Sequence, residues 1–293
     1  MEFKKIELCD KEILSPFLQN ANELTCEISF VNLLLWQPLY NNCYCIEDGI
    51  LYLKSYDDNI VTYSLPFGNI AIGFKKIVEH TGKPYPDIWA QEGERFNEFK
   101  KLYGKYYDIY ESRNEFDYIY NSLDLINLSG KKYHSKRNHI SAFSKQFNWR
   151  YEDITSNNIE LVKECAKIWY SQNTDRMDDE LKTEMQGVNL MLDNMEYLEI
   201  KGGAIIIDDK VVAFTLGSKI NSQIYNIHAE KALSGYDGAY TVINREFTEK
   251  NLSGYKYINR EDDLGLEGLR RSKLSYKPAI LLPKYICTKK ENL

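Results

Sequence analysis

Apolar and polar positions along the chain predict two successive sets of helices and strands. In the first set the predicted order is helix 29–40, strands 43–46, 50–54 and 60–65, helix 70–81, strand 87–90 and helix 92–103. In the second set it is helices 157–173 and 180–194, strands 204–207, 211–218 and 223–231, helix 238–251, strand 255–259, helix 266–275 and strand 279–287. Turn residues at Glu47-Asp48-Gly49, Asp208-Asp209 and Asn221-Ser222 indicate antiparallel hairpins within both sets.

The two sets share one element order: helix, antiparallel strands, helix, strand, helix. This order predicts an α+β fold of two similar domains in tandem, each a mixed, mostly antiparallel sheet flanked by helices. The expected boundary lies near residues 112–126, which gives domains 1–120 and 121–293. Sequence identity between the halves is negligible, so the repeat is one of element order only. A single mixed α/β domain with one large sheet is the alternative.

The composition is that of an ordinary folded protein of two-domain size. The chain has 293 residues, 43% of them hydrophobic and 27% charged, so each half is long enough to bury a core. The longest apolar runs fall far short of the roughly 18 to 20 residues that span a bilayer. The first seven residues contain no apolar stretch of the kind that directs secretion. We therefore expect a cytoplasmic protein with no transmembrane segment.

Cysteine content and charge narrow the function classes further. Six cysteines are too sparse for a disulfide scaffold in a chain this long, so we expect reduced thiols. Cys43 and Cys45 lack the second half of a zinc pattern. A formal net charge of −6 argues against a protein whose whole surface binds nucleic acid, and DNA is not an expected partner. A local basic patch is still compatible with this balance.

Residues 125–151 form such a basic segment. They contain no carboxylate, and their cations are Lys131, Lys132, Lys136, Arg137, Lys145 and Arg150. Residues 131–147 are predicted to be helical, and cations in the first two turns oppose the helix dipole, a cost that an anionic ligand offsets. The alternative is a solvated helix face. His134 and His139, five residues apart, fall on different faces of this helix and are assigned to the basic segment.

The predicted strand 224–231 has one unusually polar face. Alternation places Asn226, His228 and Glu230 together on that face. Unpaired polar groups in a buried strand cost on the order of 1 to 3 kcal/mol each. The three side chains therefore either form a structural hydrogen-bond network or line a cleft, and both interpretations remain open.

A glycine-bearing loop follows this strand and opens a helix. It runs from Lys231 through Gly235 and Gly238 to Ala239 and Tyr240. Backbone amides at such a helix start can bind a phosphate or another anion. Similar loops also occur in proteins that bind nothing there, so the position after a polar strand is what favours a site.

The last charged cluster follows strand 255–259. Arg260, Glu261, Asp262 and Asp263 follow Asn259 at a strand end, where sheets often place their sites. A helix cap explains one of these carboxylates but not all four charges. The next helix adds a second basic cluster of Arg270, Arg271 and Lys273. Adjacent carboxylates do not easily converge on one ion, so no metal is expected.

Several of these stretches together resemble a known bacterial family. They are residues 131–139 (KKYHSKRNH), 228–232 (HAEKA), 238–240 (GAY), 243–247 (INREF), 259–265 (NREDDLG) and 268–278 (GLRRSKLSYKP). They resemble the family related to the C-terminal cytosolic domain of phosphatidylglycerol lysyltransferase, and the element order resembles a tandem GNAT (N-acyltransferase) protein. The stretches span most of residues 115–288, whereas the N-terminal half is similar by pattern only.

The resemblance implies that an acyl or aminoacyl group moves from an activated donor, an acyl-CoA or an aminoacyl-tRNA, to an amine or hydroxyl of a small molecule. The catalytic residues it implies are His228 and Glu230 as candidate bases, together with Arg260, Glu261 and Asp262. The donor- and substrate-binding residues it implies are Lys132, Arg137, Asn138, Lys231, Gly235, Gly238, Ala239, Tyr240, Asn259, Arg270, Lys273 and Tyr276. Beyond the donor itself, it implies no cofactor.

Two departures from the acetyltransferase pattern bear on the donor. The loop has one more residue between Gly235 and Gly238 than a typical acetyl-CoA loop, and Arg271 stands where many acetyltransferases have an acid tyrosine. Both favour an aminoacyl-tRNA over CoA, and residues 131–150 are then available to hold RNA or a phospholipid headgroup. The alternative function is a non-catalytic module that senses an anionic metabolite or RNA. The sequence leaves the oligomeric state open.

Overall fold

The computed structural model describes residues 1–57, 60–174 and 178–292. The chain forms two compact units, and neither is contiguous in sequence. Unit 1 comprises residues 1–117, 262–267 and 281–293, and unit 2 comprises residues 118–261 and 268–280. The sequence suggested contiguous domains 1–120 and 121–293; the structure instead assigns the last strand of the chain to unit 1.

The elements are numbered in chain order. The strands are β1 Lys4–Lys5, β2 Cys43–Glu47, β3 Ile50–Asp57, β4 Ile60–Ser64, β5 Ile88–Gln91, β6 Tyr107–Glu111, β7 Asp117–Asn121, β8 Trp149–Asp153, β9 Lys201–Ile207, β10 Lys210–Lys219, β11 Ile224–Ala232, β12 Tyr257–Asn259, β13 Ile280–Leu282 and β14 Lys284–Lys289. The α-helices are α1 Lys11–Asn20, α2 Phe30–Leu35, α3 Gln37–Tyr40, α4 Ile70–Thr81, α5 Glu94–Tyr103, α6 Ser122–Asn127, α7 His134–Gln146, α8 Ile159–Ser171, α9 Asp179–Asp193, α10 Ala239–Asn251 and α11 Glu267–Ser275.

Unit 1 is built on one mixed sheet with the order β1-β2-β3-β4-β5-β14-β6. Its strand pairs are antiparallel except β4 and β5, which run parallel. The hairpin between β2 and β3 turns at Asp48-Gly49, whose φ angles of 52° and 74° are those of the two-residue turn that suits twisted strands. Phe74, Phe96 and Phe99 pack on the sheet from α4 and α5 and close the core of the unit.

Unit 2 is built on a second mixed sheet with the order β13-β7-β12-β11-β10-β9-β8. β11 and β12 run parallel, whereas β8, β9, β10 and β11 form an antiparallel series. The hairpin at Asp208-Asp209 again has two positive φ angles, 48° and 60°. Two mixed, mostly antiparallel sheets flanked by helices confirm the predicted α+β fold, and the described residues do not form one large sheet.

The predicted strand 279–287 is wrong as a single element. The structure divides it into β13, at the edge of the sheet of unit 2, and β14, in the interior of the sheet of unit 1. Pro283 separates them, because proline has no amide hydrogen with which to continue a ladder. Its carbonyl oxygen instead accepts a hydrogen bond from the Glu92 amide at 2.9 Å.

No helix within the described ranges is both long enough and apolar enough to cross a membrane.

Candidate functional site

A β-bulge in β11 separates the polar residues that alternation placed on one face. Leu216 pairs with Ala229 and Gly217 with Ile227, so His228 is the extra residue. Farther along the same ladder, β10 residues 215 and 218 pair with residues 230 and 226 of β11. Residues 215 and 218 are three positions apart in β10, so their side chains lie on opposite faces of the sheet. Because paired residues share a face, Glu230 and Asn226 also lie on opposite faces. The prediction of one polar face is therefore wrong, because the bulge reverses the alternation.

On one face, Glu230 and Arg260 form a buried ion pair. Arg260 Nη2 donates to Glu230 Oε1 at 2.6 Å, and these side chains are 11% and 8% exposed. Asn244 of α10 donates to the second oxygen of Glu230 at 2.9 Å. Arg260 Nη1 and Asn244 Oδ1 are buried without a hydrogen-bond partner among the described residues. The Arg260–Glu230–Asn244 cluster thus has a free donor and a free acceptor for a ligand.

Two tyrosines and a lysine surround the guanidinium of this cluster. The centre of the Arg260 guanidinium lies 4.8 Å from the ring centre of Tyr276 and 5.7 Å from that of Tyr120. Lys136 Nζ of α7 lies 3.7 Å from the Tyr276 ring centre. Burial, followed by the nearby charge of Arg260, lowers the pKa of Lys136 to about 8, although Glu230 acts in the opposite direction. A cation with a lowered pKa beside a second cation favours an anionic or carbonyl ligand.

The backbone around Arg260 is held by several hydrogen bonds. Its amide donates to the carbonyl oxygen of Tyr118 at 3.0 Å, and its own carbonyl oxygen accepts from Lys273 Nζ at 2.6 Å. Lys273 is buried, and the Tyr120 hydroxyl donates to its carbonyl oxygen at 2.8 Å. Lys273, expected to bind substrate, therefore contacts the main chain of Arg260 and helps to place its side chain.

On the opposite face, Ser218, Asn226, His228 and Glu261 form a histidine cluster. His228 Nδ1 lies 3.1 Å from Glu261 Oε1, and Nε2 lies 2.8 Å from Ser218 Oγ. Asn226 donates to the same carboxylate oxygen at 2.7 Å. Asn226 Nδ2 also lies 3.0 Å from His228 Nδ1, so polar partners contact both ring nitrogens. The imidazole is only 1% exposed, so this arrangement fixes the ring.

Glu261 adopts an uncommon backbone conformation that this cluster stabilises. Its φ angle is 57°, in the left-handed region that costs a non-glycine residue on the order of 1 kcal/mol. Its amide donates to the Asn259 side chain at 2.7 Å. The left-handed turn lets consecutive residues of one loop serve different clusters, Arg260 with Glu230 and Glu261 with His228.

The glycine loop after β11 opens α10, as the sequence predicts. Gly235 and Gly238 have φ angles of 89° and 97°, and a Cβ on Gly238 would lie 2.9 Å from the His139 carbonyl oxygen. No side chain caps the first turn of α10, which begins at Ala239. The amides of Ala239, Thr241 and Val242 already donate to the carbonyl oxygens of Tyr236 and Gly238 at 2.9 to 3.0 Å. Among the described residues, this leaves the Tyr240 amide of the first turn for an external acceptor.

Lys231 lies beside this loop and is already paired. Its Nζ contacts Glu184 Oε1 at 2.6 Å and lies 4.0 Å from the ring centre of Trp169. Trp169 in turn donates to the hydroxyl of Tyr240, a residue that is 44% exposed. Trp169 and Glu184 belong to α8 and α9, and sequence reasoning missed them because no local motif marks them.

The remaining predicted site residues lie elsewhere in the chain or have partners of their own. Asp262 belongs to unit 1, Arg270 lies on α11, and Lys132 pairs with Asp124 at 3.4 Å. Arg137 donates to backbone carbonyl oxygens, Gly130 among them at 2.8 Å, and Asn138 contacts His134 on the exposed face of α7. Conversely, the sequence had placed Lys136 only in a basic segment, and had not singled out Tyr120, Ser218 or Asn244. Their roles depend on long-range packing.

Comparison with known proteins places these features in a family. Residues 19–288 match the family described as phosphatidylglycerol lysyltransferase, C-terminal. The chain belongs to this family. The expected relationship is thereby confirmed, and it covers the N-terminal half as well as the motifs of the C-terminal half.

The relatives of this lysyltransferase-family chain match it over different shares of its length. A conserved protein of unknown function from Bacteroides thetaiotaomicron is 33% identical, with a TM-score of 0.91 over 99% of this chain and 100% of that one. L-PGS from Bacillus licheniformis has the same fold at 15% identity, with a TM-score of 0.64 over 96% and 92%. An uncharacterized protein of Mycoplasmoides gallisepticum is 24% identical over 61% of this chain. That match spans only 57% of the curated protein's own length.

Proposed function

We propose that this chain transfers an aminoacyl group from an activated donor to an amine or hydroxyl acceptor, at the Arg260–Glu230–Asn244 cluster of unit 2. Membership of a family described by lysyl transfer supports aminoacyl transfer in general. The observation that carries the assignment to this cluster is the buried Arg260 Nη1, which has no partner among the described residues. A buried donor without an acceptor is costly, and a ligand oxygen would satisfy it.

In the proposed reaction, Arg260 Nη1 donates to the carbonyl oxygen of the donor ester and stabilises the negative charge that develops on it. Glu230 holds the guanidinium in place through its 2.6 Å contact. Lys136, whose pKa is lowered to about 8, takes the proton from the acceptor amine or hydroxyl as that group attacks the carbonyl carbon. The new bond joins acceptor and aminoacyl group, and the ester oxygen leaves with a proton.

The donor that we propose is an aminoacyl-tRNA. The extended loop before α10 departs from a CoA-binding loop, and exposed lysines on and beside α7, such as Lys131 and Lys145, offer phosphate contacts. An aminoacyl-tRNA is a cytoplasmic donor, so the expected cytoplasmic location remains part of the proposal. The acceptor is a small molecule with a free amine or hydroxyl.

The test measures release of radiolabelled amino acid from charged tRNA by the purified chain, in the presence of phospholipid vesicles or a pool of small amines and alcohols. We expect wild-type protein to accelerate release and form a labelled product, and Lys136→Met and Arg260→Lys each to lower the rate at least tenfold. Lys210→Met is the matched control, because Lys210 is an exposed lysine on the β9–β10 hairpin. Consumption of acyl-CoA alone would show that the donor is wrong. Tight tRNA binding without any turnover would support the sensing module instead.

The pH dependence of the rate tests the proposed base. Because only the neutral amine of Lys136 accepts a proton, the rate should rise with pH and level off above a pKa of about 8. Initial rates measured between pH 6 and 10 would show this rise. A wild-type rate that does not change with pH, or the same rise with pH in Lys136→Met, would contradict the role of Lys136.

A further inference from the structure

Unit 1 contains a buried lysine between two carboxylates, in a cluster formed by Cys26, Glu27, Asp117 and Lys284. Lys284 Nζ lies 2.8 Å from Asp117 Oδ1, and it also forms an ion pair with Glu27. The side chains of Lys284 and Asp117 are 0% exposed, whereas that of Glu27 is 28% exposed. Among the described residues, the Cys26–Glu27–Asp117–Lys284 cluster is therefore open to solvent along Glu27.

The second oxygen of Asp117 is held separately. The Cys26 amide donates to Asp117 Oδ2 at 2.9 Å, and the Cys26 thiol lies 3.2 Å from Oδ1. Ligating atoms of Cys26, Glu27 and Asp117 all lie within 4.8 Å of one another, which is a spacing that a metal ion could bridge. The ammonium group of Lys284 already contacts each of these residues, at 3.7 Å from Cys26 Sγ, so the cluster contains its own cation.

A buried ion pair is a poor source of stability, because removing both charges from water offsets most of their attraction. The same geometry is, however, suited to a condensation. An amine nitrogen in contact with a carboxyl group needs only a proton relay and a donor for the developing oxyanion. Glu27 supplies a carboxyl for the relay, and the Cys26 amide is the donor on Oδ2.

We propose that Lys284 and Asp117 form an intramolecular isopeptide bond. The Lys284 Nζ–Asp117 Cγ bond forms, the Cγ–Oδ1 bond breaks, and Oδ1 leaves as water. An ammonium and a carboxylate together give one neutral amide and one water, so atoms and charge balance without an oxidant or another co-reactant. Oδ2 becomes the amide oxygen and keeps its hydrogen bond from the Cys26 amide.

Glu27 is the group that makes the amine reactive. Burial acts to lower the pKa of Lys284, but the acidic groups of Asp117, Cys26, Glu27 and Asp262 outweigh it and raise the pKa well above its ordinary value. The amine therefore attacks only after passing a proton to a neighbour. Burial, reinforced by the charge of Asp117 and opposed by that of Lys284, raises the pKa of Glu27 to about 7. Near neutral pH, Glu27 can thus both accept the ammonium proton and return it to the departing oxygen. Its partly exposed side chain also marks the route by which water leaves.

The test is the intact mass of the full chain, purified and then denatured. We expect wild-type protein to be lighter than its sequence by one water, and tandem mass spectrometry of a digest to find the peptide around residue 117 joined to the peptide around residue 284. Lys284→Arg and Asp117→Ala should have the full mass of their sequences. A folded wild-type chain at its full sequence mass would overturn the proposal.

Two further variants separate the chemistry from folding. Glu27→Gln keeps the size of the side chain but cannot relay the proton, so the folded variant should remain at its full mass. Glu79→Gln changes an exposed carboxylate of the same unit and should condense like wild type. Circular dichroism establishes that each variant is folded before its mass is compared. Condensation of Glu27→Gln at the wild-type extent would contradict the mechanism.

Discussion

At the scale of single residues, the buried Arg260–Glu230 pair makes a contribution to stability that can be measured. Both side chains are nearly buried, and Glu230 is the only carboxylate whose contact with Arg260 is seen among the described residues. Glu230→Ala would leave a buried guanidinium unpaired, so we expect the free energy of unfolding of the protein to fall by about 3 kcal/mol. Urea denaturation would show this loss. The double variant Glu230→Leu/Arg260→Met should lose less of the free energy of unfolding. An equal loss in the single and the double variant would contradict the pairing.

Lys136 predicts a stability that changes with pH in a defined direction. Its pKa is lowered from the ordinary value of 10.5 to about 8 in the folded state, so between these pH values the unfolded chain binds more protons and the stability of the fold rises with pH. Below pH 8 the full free-energy cost of holding the charged Lys136 ammonium in the folded state is present. Lys136→Met should therefore stabilise the protein at pH 7, by about 1 kcal/mol after allowance for its partial exposure, and by nothing near pH 11. Urea denaturation at both pH values measures the difference; stabilisation at pH 11 alone would reverse the sign that we assign.

Residue-level prediction from sequence was limited by the bulge at His228. The alternation with apolar residues marks the polar residues of β11, and the position after a strand marks Arg260 as a candidate. The alternation rule assumes an uninterrupted strand, and nothing local in the sequence marks an extra residue. The sequence does not mark Lys136 as a candidate, because its lowered pKa depends first on burial in the fold and then on Arg260, more than a hundred positions along the chain.

At the scale of elements, Gly217 allows β10 and β11 to pair at the bulge. A Cβ on Gly217 would lie 2.3 Å from the Asn226 carbonyl oxygen, closer than real Cβ atoms approach backbone. Gly217→Ala should therefore lower the free energy of unfolding by about 2 kcal/mol, because strands must separate locally to admit the methyl group. Gly254→Ala is the control, since a Cβ there meets no atom within 4 Å. Equal midpoints in urea for the two variants would contradict the close approach.

Element prediction succeeded where a local signal exists. The Asp48-Gly49 and Asp208-Asp209 turns were readable because tight turns favour residues that tolerate positive φ angles. β13 and β14 were predicted as one strand because membership of a sheet is decided by partners far away in sequence. Pro283 was the available signal for the break.

At the scale of the whole molecule, the end of the chain completes the sheet of unit 1. β14 lies between β5 and β6, with four register pairs to β5 through Ile88–Gln91 and five to β6. Ending the chain after Pro283 would remove this interior strand and expose the cores on both sides, so we expect the sheet of unit 1 not to form. Ending it after Lys290 should leave the sheet intact. Limited proteolysis would distinguish the two; a protease-resistant unit 1 in the shorter chain would contradict this expectation.

The position of β14 also determines when unit 1 can form in the cell. A ribosome makes β5 and β6 before β14, because β14 lies far later in the sequence. Until β14 has been made, β5 therefore has one hydrogen-bonding edge uncovered, and β6, whose neighbour in the sheet is β14, has both edges uncovered. Translation rate and chaperone supply should consequently affect the yield of unit 1 mainly through this interval, in which the nascent chain is most open to aggregation.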